Sequence, residues 1–461
     1  MKNLVRTIAV CAAACLATAD GSTLIVPDDY GTIQAAVDAA IANDTIQVNP
    51  GTYHEKVIVG KSVKIVGSDP ATTIVTADGI GTNFLLTADG TTIAGLTIEN
   101  GVCGLYISFA DNCLFSNLIV SGITSFGTFS KTSKSNTFAE CVFISNTWYG
   151  LCLGDTASSY NTVTNCDFHD NNIALQAYLN CSALRVANST FYNNTGTAIQ
   201  VGWLNPWLID NCLIYSNVWG INIDTASGGT IKNCDFLRNT GAAIDFGGDG
   251  EYDDVIVSNN FIGNVWGVRF SVKGQRATVA GNTIALNDVG VAIDLHASTS
   301  YANWSNKVYG NDFIGNVTNA YVFEDRGSNF FDRGYTDGGN YWDDYTGVDV
   351  FSGVAQDVPG SDGIGDTPIE LSPTCRDKYP RMARSRSLPG LRSATCFMSP
   401  SSGGIRTLLA DWSLPERSIN SRSDAGSGVF CSSDGFMVHG VFAPEMPFTD
   451  LHLSMLGLLL E

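Results

Sequence analysis

The chain has 461 residues, with 45 acidic against 25 basic side chains and a formal charge of -20, which argues against a nucleic-acid partner because phosphates need a basic surface. Forty-eight glycines, 10 % aromatic and only 15 % charged residues suit a long, tightly turned β structure. The charge balance fits solubility outside the cell, bound cations, or neutral and basic ligands.

Residues 1–19 read as a secretory signal: Lys2 and Arg6 at the start, an apolar run Ile8–Leu16, and Ala17-Thr18-Ala19 as the cleavage site. That run is too short to cross a bilayer, so no transmembrane segment is expected, and the address is secreted, periplasmic or cell-surface. Residues 20–43 form an amino-terminal cap. Ile33, Val37, Ala40 and Ile41 share one helical face, with Thr32 placed to cap it, as expected of a helix covering the open end of a solenoid. Thr45–Val48, Val57–Val59 and Val63–Val66 then read as brief strands, with Pro50-Gly51-Thr52-Tyr53 as a turn.

From about residue 119 to 313 one phrase returns. It reads N-x-x-[F/I]-x-x-N at Asn165/Phe168/Asn171, Asn188/Phe191/Asn194, Asn211/Ile214/Asn217 and Asn233/Phe236/Asn239. Looser copies sit at Phe143/Asn146, Phe261/Asn264, Ile284/Asn287 and Phe313/Asn316. Most anchors recur every 22 to 25 residues, a solenoid period. A unit that short cannot bury its own apolar face and must stack on its neighbours. The regular leucines of leucine-rich repeats are missing, and Val, Ile, Thr, Phe, Asn and Gly favour strands and turns, so residues 44–335 read as an all-β parallel β-helix. Asn tolerates left-handed bends, and stacked coils about 4.8 Å apart can share an amide ladder. Cys166, Cys212 and Cys234 occupy one place in three repeats; they form either a column of packed thiols or, for Cys212 and Cys234, a disulfide.

Residues 336–382 are rich in Gly and Asp. From 383 to 461 the repeats and strand alternation stop, and the tail reads as irregular or disordered. Two groups of motifs carry a resemblance. Near the start stand Val26-Pro27, Thr32-Ile33-Gln34-Ala35-Ala36-Val37, Pro50-Gly51-Thr52-Tyr53-His54-Glu55 and Val63-Lys64-Ile65-Val66-Gly67. At the far end come Gly339-Asn340-Tyr341-Trp342-Asp343-Asp344-Tyr345, Asp362-Gly363-Ile364-Gly365-Asp366-Thr367-Pro368 and Asp377-Lys378-Tyr379-Pro380. This order resembles pectin-lyase-like β-helix proteins, and within them the NosD-like group, over about residues 24 to 382. The resemblance implies a right-handed helix outside the cytoplasm; it implies function only loosely, because many chemistries share the fold.

Aligning coils on the glycine after each Asn turn (Gly150, Gly196, Gly220, Gly241, Gly267, Gly290) puts Leu153, Ile199, Ile223, Ile244, Phe270 and Ile293 inward, followed by Val201, Phe246, Val272 and Leu295. Two outward columns remain. One holds Cys152, Ala174, Ala198, Asn222, Ala243, Arg269 and Ala292; the other Gly154, Gln176, Gln200, Asp224, Asp245, Ser271 and Asp294. Asp224 and Asp245 would then lie about one strand spacing apart, close enough to act as an acid and base pair, with Arg269 beside them. These three are the candidate catalytic residues, with Gln176, Gln200 and Asp294 binding substrate. The set is similar in kind to the exposed face of pectin methylesterases, although the D-F-[IV]-F-G and L-G-R-P-W phrases of that family are missing. The same stripe also suits plain sugar binding, with Trp203, Trp207, Trp219 and Trp266 as stacking rings, or a solvated face without function.

Asp357, Asp362 and Asp366 around a Gly-rich turn make a candidate Ca²⁺ site, and Asp249, Glu251, Asp253 and Asp254 a weaker one. The NosD-like group is tied to copper-site maturation, but no Met stands between positions 2 and 381, and His54, His169 and His296 are far apart, so a copper role is not expected. The expected function is that of a secreted β-helix protein that binds or processes an extracellular polysaccharide or cell-surface glycan. The competing expectation is a structural or adhesive rod.

Overall fold

The computed structural model describes residues 21–385, apart from 155–157, 249, 273, 295–302 and 324–328, and the backbone of four short strands beyond them. The expected signal at 1–19 lies outside these residues. Among the described residues no helix is long and apolar enough to cross a membrane.

The repeats stack as a right-handed parallel solenoid of about 11 turns. In chain order each coil visits three parallel sheets. Sheet 1 has 13 strands, from Thr23–Val26 to Lys307–Tyr309; sheet 2 has 13, from Gly51–His54 to Tyr341–Trp342; sheet 3 has 12, from Val57–Val59 to Thr318–Val322. One coil shows the plan: Thr162–Thr164, a two-residue bend, Asp167–His169, a three-residue bend, Ile173–Ala177, then a longer loop into Leu184–Ala187.

The anchors of the repeat phrase are register partners in sheet 2: Phe143, Phe168, Phe191, Ile214, Phe236, Phe261, Ile284 and Phe313. All are buried. Phe143 and Phe168 stack with centroids 4.6 Å apart, and Phe168 and Phe191 at 4.7 Å, so the strand spacing itself sets the ring stacking.

The two asparagines of the phrase do different work. The first bends the chain: Asn165, Asn188, Asn211 and Asn233 have φ of 53°, 51°, 58° and 56°, the left-handed region that Asn enters more cheaply than other side chains. The second is buried and forms a ladder. Asn171 N–H donates to Asn194 Oδ1 at 3.0 Å, Asn194 to Asn217 at 3.1 Å and Asn217 to Asn239 at 3.1 Å, while each Nδ2 reaches a main-chain carbonyl of an earlier coil. Such a ladder satisfies polar groups that water cannot reach.

Cys166, Cys212 and Cys234 sit at the bend between sheets 1 and 2 as buried thiols without a disulfide. Cys212 N–H points to Cys234 Sγ at 3.4 Å, which makes the thiol column the observed form. Beyond Cys234 the same place is taken by Asn259, Asn282, Asn311 and Asn340, a second ladder. Asp377 closes it by accepting from Asn340 N at 2.7 Å.

The ends are covered. Helix α1, Ile33–Ala39, has Thr32 as N-cap, and Glu55 accepts from the N–H groups of Ile33 and Gln34 at 2.8 and 3.0 Å. Ile33, Ala36, Val37 and Ala40 face the core, but Ile41, expected there, is 64 % exposed because the helix has already ended. At the far end Tyr341–Trp342 joins sheet 2, and residues 343–385 fold back over it. Asp377 there also accepts from the Trp342 indole at 2.8 Å, and Arg381 pairs with buried Asp312 at 2.9 Å.

The chain divides into two compact units, Met1–Leu409 and Ala410–Glu461. The expected irregular tail lies mostly outside the described residues. What is described there is Ala394–Cys396 paired antiparallel with Arg406–Leu408 and, in the second unit, Ser427–Cys431 paired with Met437–Val441.

Candidate functional site

The outer face of sheet 3 carries the polar side chains, but in a different register from the one the glycines suggest. Cys152, Gln176, Gln200, Asn222, Asp245, Arg269, Ala292 and Tyr321 are successive partners. Asp224 pairs with Gly202 instead, two positions further along the strand. The cause is a substitution at the tight bend. Gly150, Gly220, Gly267 and Gly290 pass close to the next coil's main chain, and the matching residues elsewhere are Ala174, Ala198 and Ala243, not Gly196 and Gly241. These three alanines are fully buried, which overturns their expected outward column. Val272, expected inward, is half-buried and lines a surface cleft.

The correction separates the expected carboxylate pair. Two residues along a strand and one strand across place the Cα atoms of Asp224 and Asp245 about 8 Å apart, not one strand spacing. Each carboxylate therefore has its own surroundings.

Asp245 is 6 % exposed. Its Oδ2 accepts from Ser271 Oγ at 3.1 Å, and its Oδ1 is buried without a hydrogen-bond partner. Burial pushes its pKa from 3.8 up to about 6, against the opposing effects of the Ser271 hydrogen bond and the neighbouring Arg269 charge. A carboxyl so placed can hold or release a proton near neutrality. Arg269 is the next partner in the column, but its Nε is given to Asp294 Oδ2 at 2.7 Å and its guanidinium lies over the Trp266 ring at 4.7 Å. Tyr321 donates to the other oxygen of Asp294. The substrate candidates Gln176 and Gln200 are bonded to each other at 2.9 Å, with Cys152 Sγ 3.4 Å from Gln176 Oε1.

Asp224 borders an open cleft of about 660 Å³ together with Tyr178, Trp203, Thr225 and Val272. Its Oδ2 is 3.4 Å from Tyr178 OH, and its Oδ1 accepts from Thr225 Oγ1 at 3.1 Å. Trp203 is 51 % exposed, whereas Trp207 is buried against Gly229 and offers no ring to a ligand. Tyr178 and Tyr321 escaped the sequence reading. Each belongs to a sheet 3 column that becomes visible only once the coils are in register.

Two of the cation candidates accept hydrogen bonds from neighbouring groups. Asp362 accepts from Tyr335 OH at 2.8 Å and from the N–H groups of Ile364 and Gly353, and Asp366 accepts from Val350 and Phe351 N–H at 3.0 and 3.1 Å. Neither gathers with Asp357. Of the weaker set, Asp249 and the Glu251 side chain lie outside the described residues, Asp253 pairs with Arg276 at 2.7 Å, and Asp254 is buried, accepting from Gly229 N at 2.7 Å. Among the described residues no three His, Cys, Asp or Glu side chains converge as metal ligands.

Two family models match the chain: residues 79–218 match one described as a right handed beta helix region, and residues 177–347 one described as periplasmic copper-binding protein (NosD). No curated protein matches the chain in sequence. Among solved structures it is similar to the A-module of the mannuronan C-5 epimerase AlgE4 of Azotobacter vinelandii, with TM-score 0.54 and 17% identity over 66% of this chain and 95% of that one. The A-module of AlgE6 from the same organism gives 0.51 and 18% over 64% and 92%. A mannuronic acid specific polysaccharide family 6 lyase from human gut microbiota gives 0.54 and 12% over 71% and 88%. At these identities the likeness is one of fold.

Among the described residues, the copper in the second model's description finds no fitting donor set. Cys181, Cys212 and Cys234 point into the core, where burial pushes the thiols of Cys181 and Cys234 up, and no Met lies within 177–347. His169 is taken up by Asp170 at 2.7 Å and a stack on Tyr192. His296 lies outside the described residues.

Proposed function

We propose that this β-helix binds an extracellular polysaccharide along the outer face of sheet 3, with Asp245 as the group able to carry a proton in any processing of the bound chain. The observation that carries the reading is the unbroken register of Gln176, Gln200, Asn222, Asp245 and Arg269. A polymer lying along the helix axis meets a hydrogen-bonding side chain every strand spacing, about 4.8 Å. The amides are half-buried and periodic, and Gln176 and Gln200, already bonded to each other, can exchange partners for sugar hydroxyls. The fold it shares with epimerase and lyase modules supports the substrate class, and the signal-like residues 1–19 support an extracytoplasmic address.

The test is retention of the full-length protein on immobilised neutral and acidic polysaccharides. Wild type is expected to be retained, and the double variant Gln176→Ala/Gln200→Ala to lose at least about tenfold in affinity, the loss of 1 to 2 kcal/mol typical of a recognition contact. Release of new reducing ends or unsaturated products, abolished by Asp245→Asn, would add catalysis to binding. Failure of every glycan to retain the protein would leave a rod without a ligand and sink the proposal.

A further inference from the structure

The cleft beside Asp224 has a construction separate from the polar column, and it narrows the ligand class; the inference rests on the polysaccharide reading above. Its floor is made where side chains are missing. A Cβ at Gly202 would stand 2.3 Å from the Tyr178 ring, one at Gly248 2.2 Å from Asp224 Oδ1, and one at Gly247 2.9 Å from Asn222 Nδ2 and 3.0 Å from Asp245 Oδ2. A side chain at Gly247 or Gly248, which line the cleft, would fill its space, and one at Gly202 would push the Tyr178 ring out of position. Above the floor stands Trp203, half exposed, at a bend where coils turn through a left-handed residue: Phe109, Thr132, Leu179, Trp203 and Thr225 have φ from 49° to 59°.

An indole face beside a carboxylate over a glycine floor matches one kind of ligand. The C–H face of a sugar ring removes apolar indole surface from water, and its rim of hydroxyls donates to a carboxylate. Asp224 uses one contact on each oxygen, to Tyr178 and Thr225, so acceptor sites remain. Charge selects among sugars. Among the described residues lining the cleft, Asp224 is the one formal charge and no Lys or Arg is present. The nearby guanidinium, Arg269, is already paired with Asp294. Among the described residues, a uronate carboxylate set against Asp224 would meet no counter-charge. We infer that this cleft is a subsite for a neutral sugar residue, stacked on Trp203 and hydrogen-bonded to Asp224, within a polysaccharide lying across sheet 3.

The test compares neutral oligosaccharides with oligouronates of equal length, by calorimetry and tryptophan emission on the full-length protein. Neutral oligomers are expected to bind and change the emission, with Trp203→Ala weakening them at least about tenfold and removing the emission change. Trp148→Ala, an exposed tryptophan on an earlier coil, is expected to bind as wild type. Asp224→Asn, which keeps the shape and removes the charge, is expected to admit oligouronates. Preferential binding of oligouronates by wild type, unaffected by Trp203→Ala but lost in Gln176→Ala/Gln200→Ala, would overturn the neutral subsite and leave the wider binding face standing. Absence of binding by both classes would overturn both.

Discussion

At the scale of the residue, one amide side chain has two uses here, and they predict opposite mutational behaviour. Asn211 is exposed with φ of 58°, so Asn211→Gly is expected to leave stability nearly unchanged, and Asn211→Ala to cost about 1 kcal/mol for forcing a Cβ into the left-handed region. Asn217 is 1 % exposed and bonded to coils on both sides, so Asn217→Ala leaves buried groups unpaired and is expected to cost about 2 to 4 kcal/mol. Denaturant midpoints of the three variants measure the contrast; equal losses would refute the division of labour. Asp245 gives a third prediction. Its carboxyl is raised by about two units, from 3.8 to about 6, which corresponds to at most about 3 kcal/mol of destabilisation above pH 6. Asp245→Asn is therefore expected to stabilise the protein at pH 7 and to change little at pH 4. A melting temperature that falls at pH 7 would show that the charge is held by something other than Ser271 and Arg269.

At the scale of the element, sheet 3 shows how a strand can be recognised and still be misplaced. Strand alternation identifies which residues of Ala242–Phe246 can face out, and it depends on register to say beside which neighbours. The close approach at the bend accepts Ala as well as Gly, so glycine is an unreliable ruler: Ala174, Ala198 and Ala243 stand where glycine does in other coils. The sheet 2 anchors have no such ambiguity, because a Phe stacked on a Phe cannot slip by two residues without losing its ring partner. The element also carries a test of the cleft. Gly202→Ala would set its methyl within 2.3 Å of the Tyr178 ring. The ring must swing away, and glycan retention is expected to fall while far-UV circular dichroism keeps the β signature. Unchanged retention would remove Tyr178 and Asp224 from the site.

At the scale of the whole molecule, charge and caps set the conditions under which the rod persists. Asp167, Asp245 and Asp377 are each raised to about 6, mainly by burial. The folded chain then binds more protons than the unfolded one between about pH 4 and 6, so these groups make stability fall as pH rises through that window and level off above it. Asp349, held low mainly by Ser361, acts in the opposite sense: its contribution is present above the ordinary carboxylate range and is lost as pH falls below it. Self-repulsion of a chain carrying -20 adds to the loss at high pH and is screened by salt. Denaturation at fixed salt is expected to show a maximum on the acid side of neutrality, near pH 4 to 5, and added salt to help more at pH 8 than at pH 5. A maximum at pH 8 would contradict this balance. Removing residues 21–41 strips α1 and the first strand from the end of the stack and is expected to produce end-to-end association in light scattering, through exposed strand edges.

The sequence by itself determined what one coil repeats: its length, the Phe that stacks, the two asparagines at its bends and the capping helix. These are local or strictly periodic features, and each copy in the chain reads the same rule again. The tertiary structure decided what lies beside what across coils. It placed Asp245 after Asn222 and not beside Asp224, gave Arg269 to Asp294, turned Asp362 and Asp366 to their own loop's amides, and brought Tyr178, Trp203 and Asp224 around one cleft. Coil lengths differ by a few residues, and that variation is absorbed in the bends and loops. Position along the chain therefore does not fix position across a sheet. A two-residue slip keeps every side chain on its face while changing its neighbours, and neighbours are what make a site.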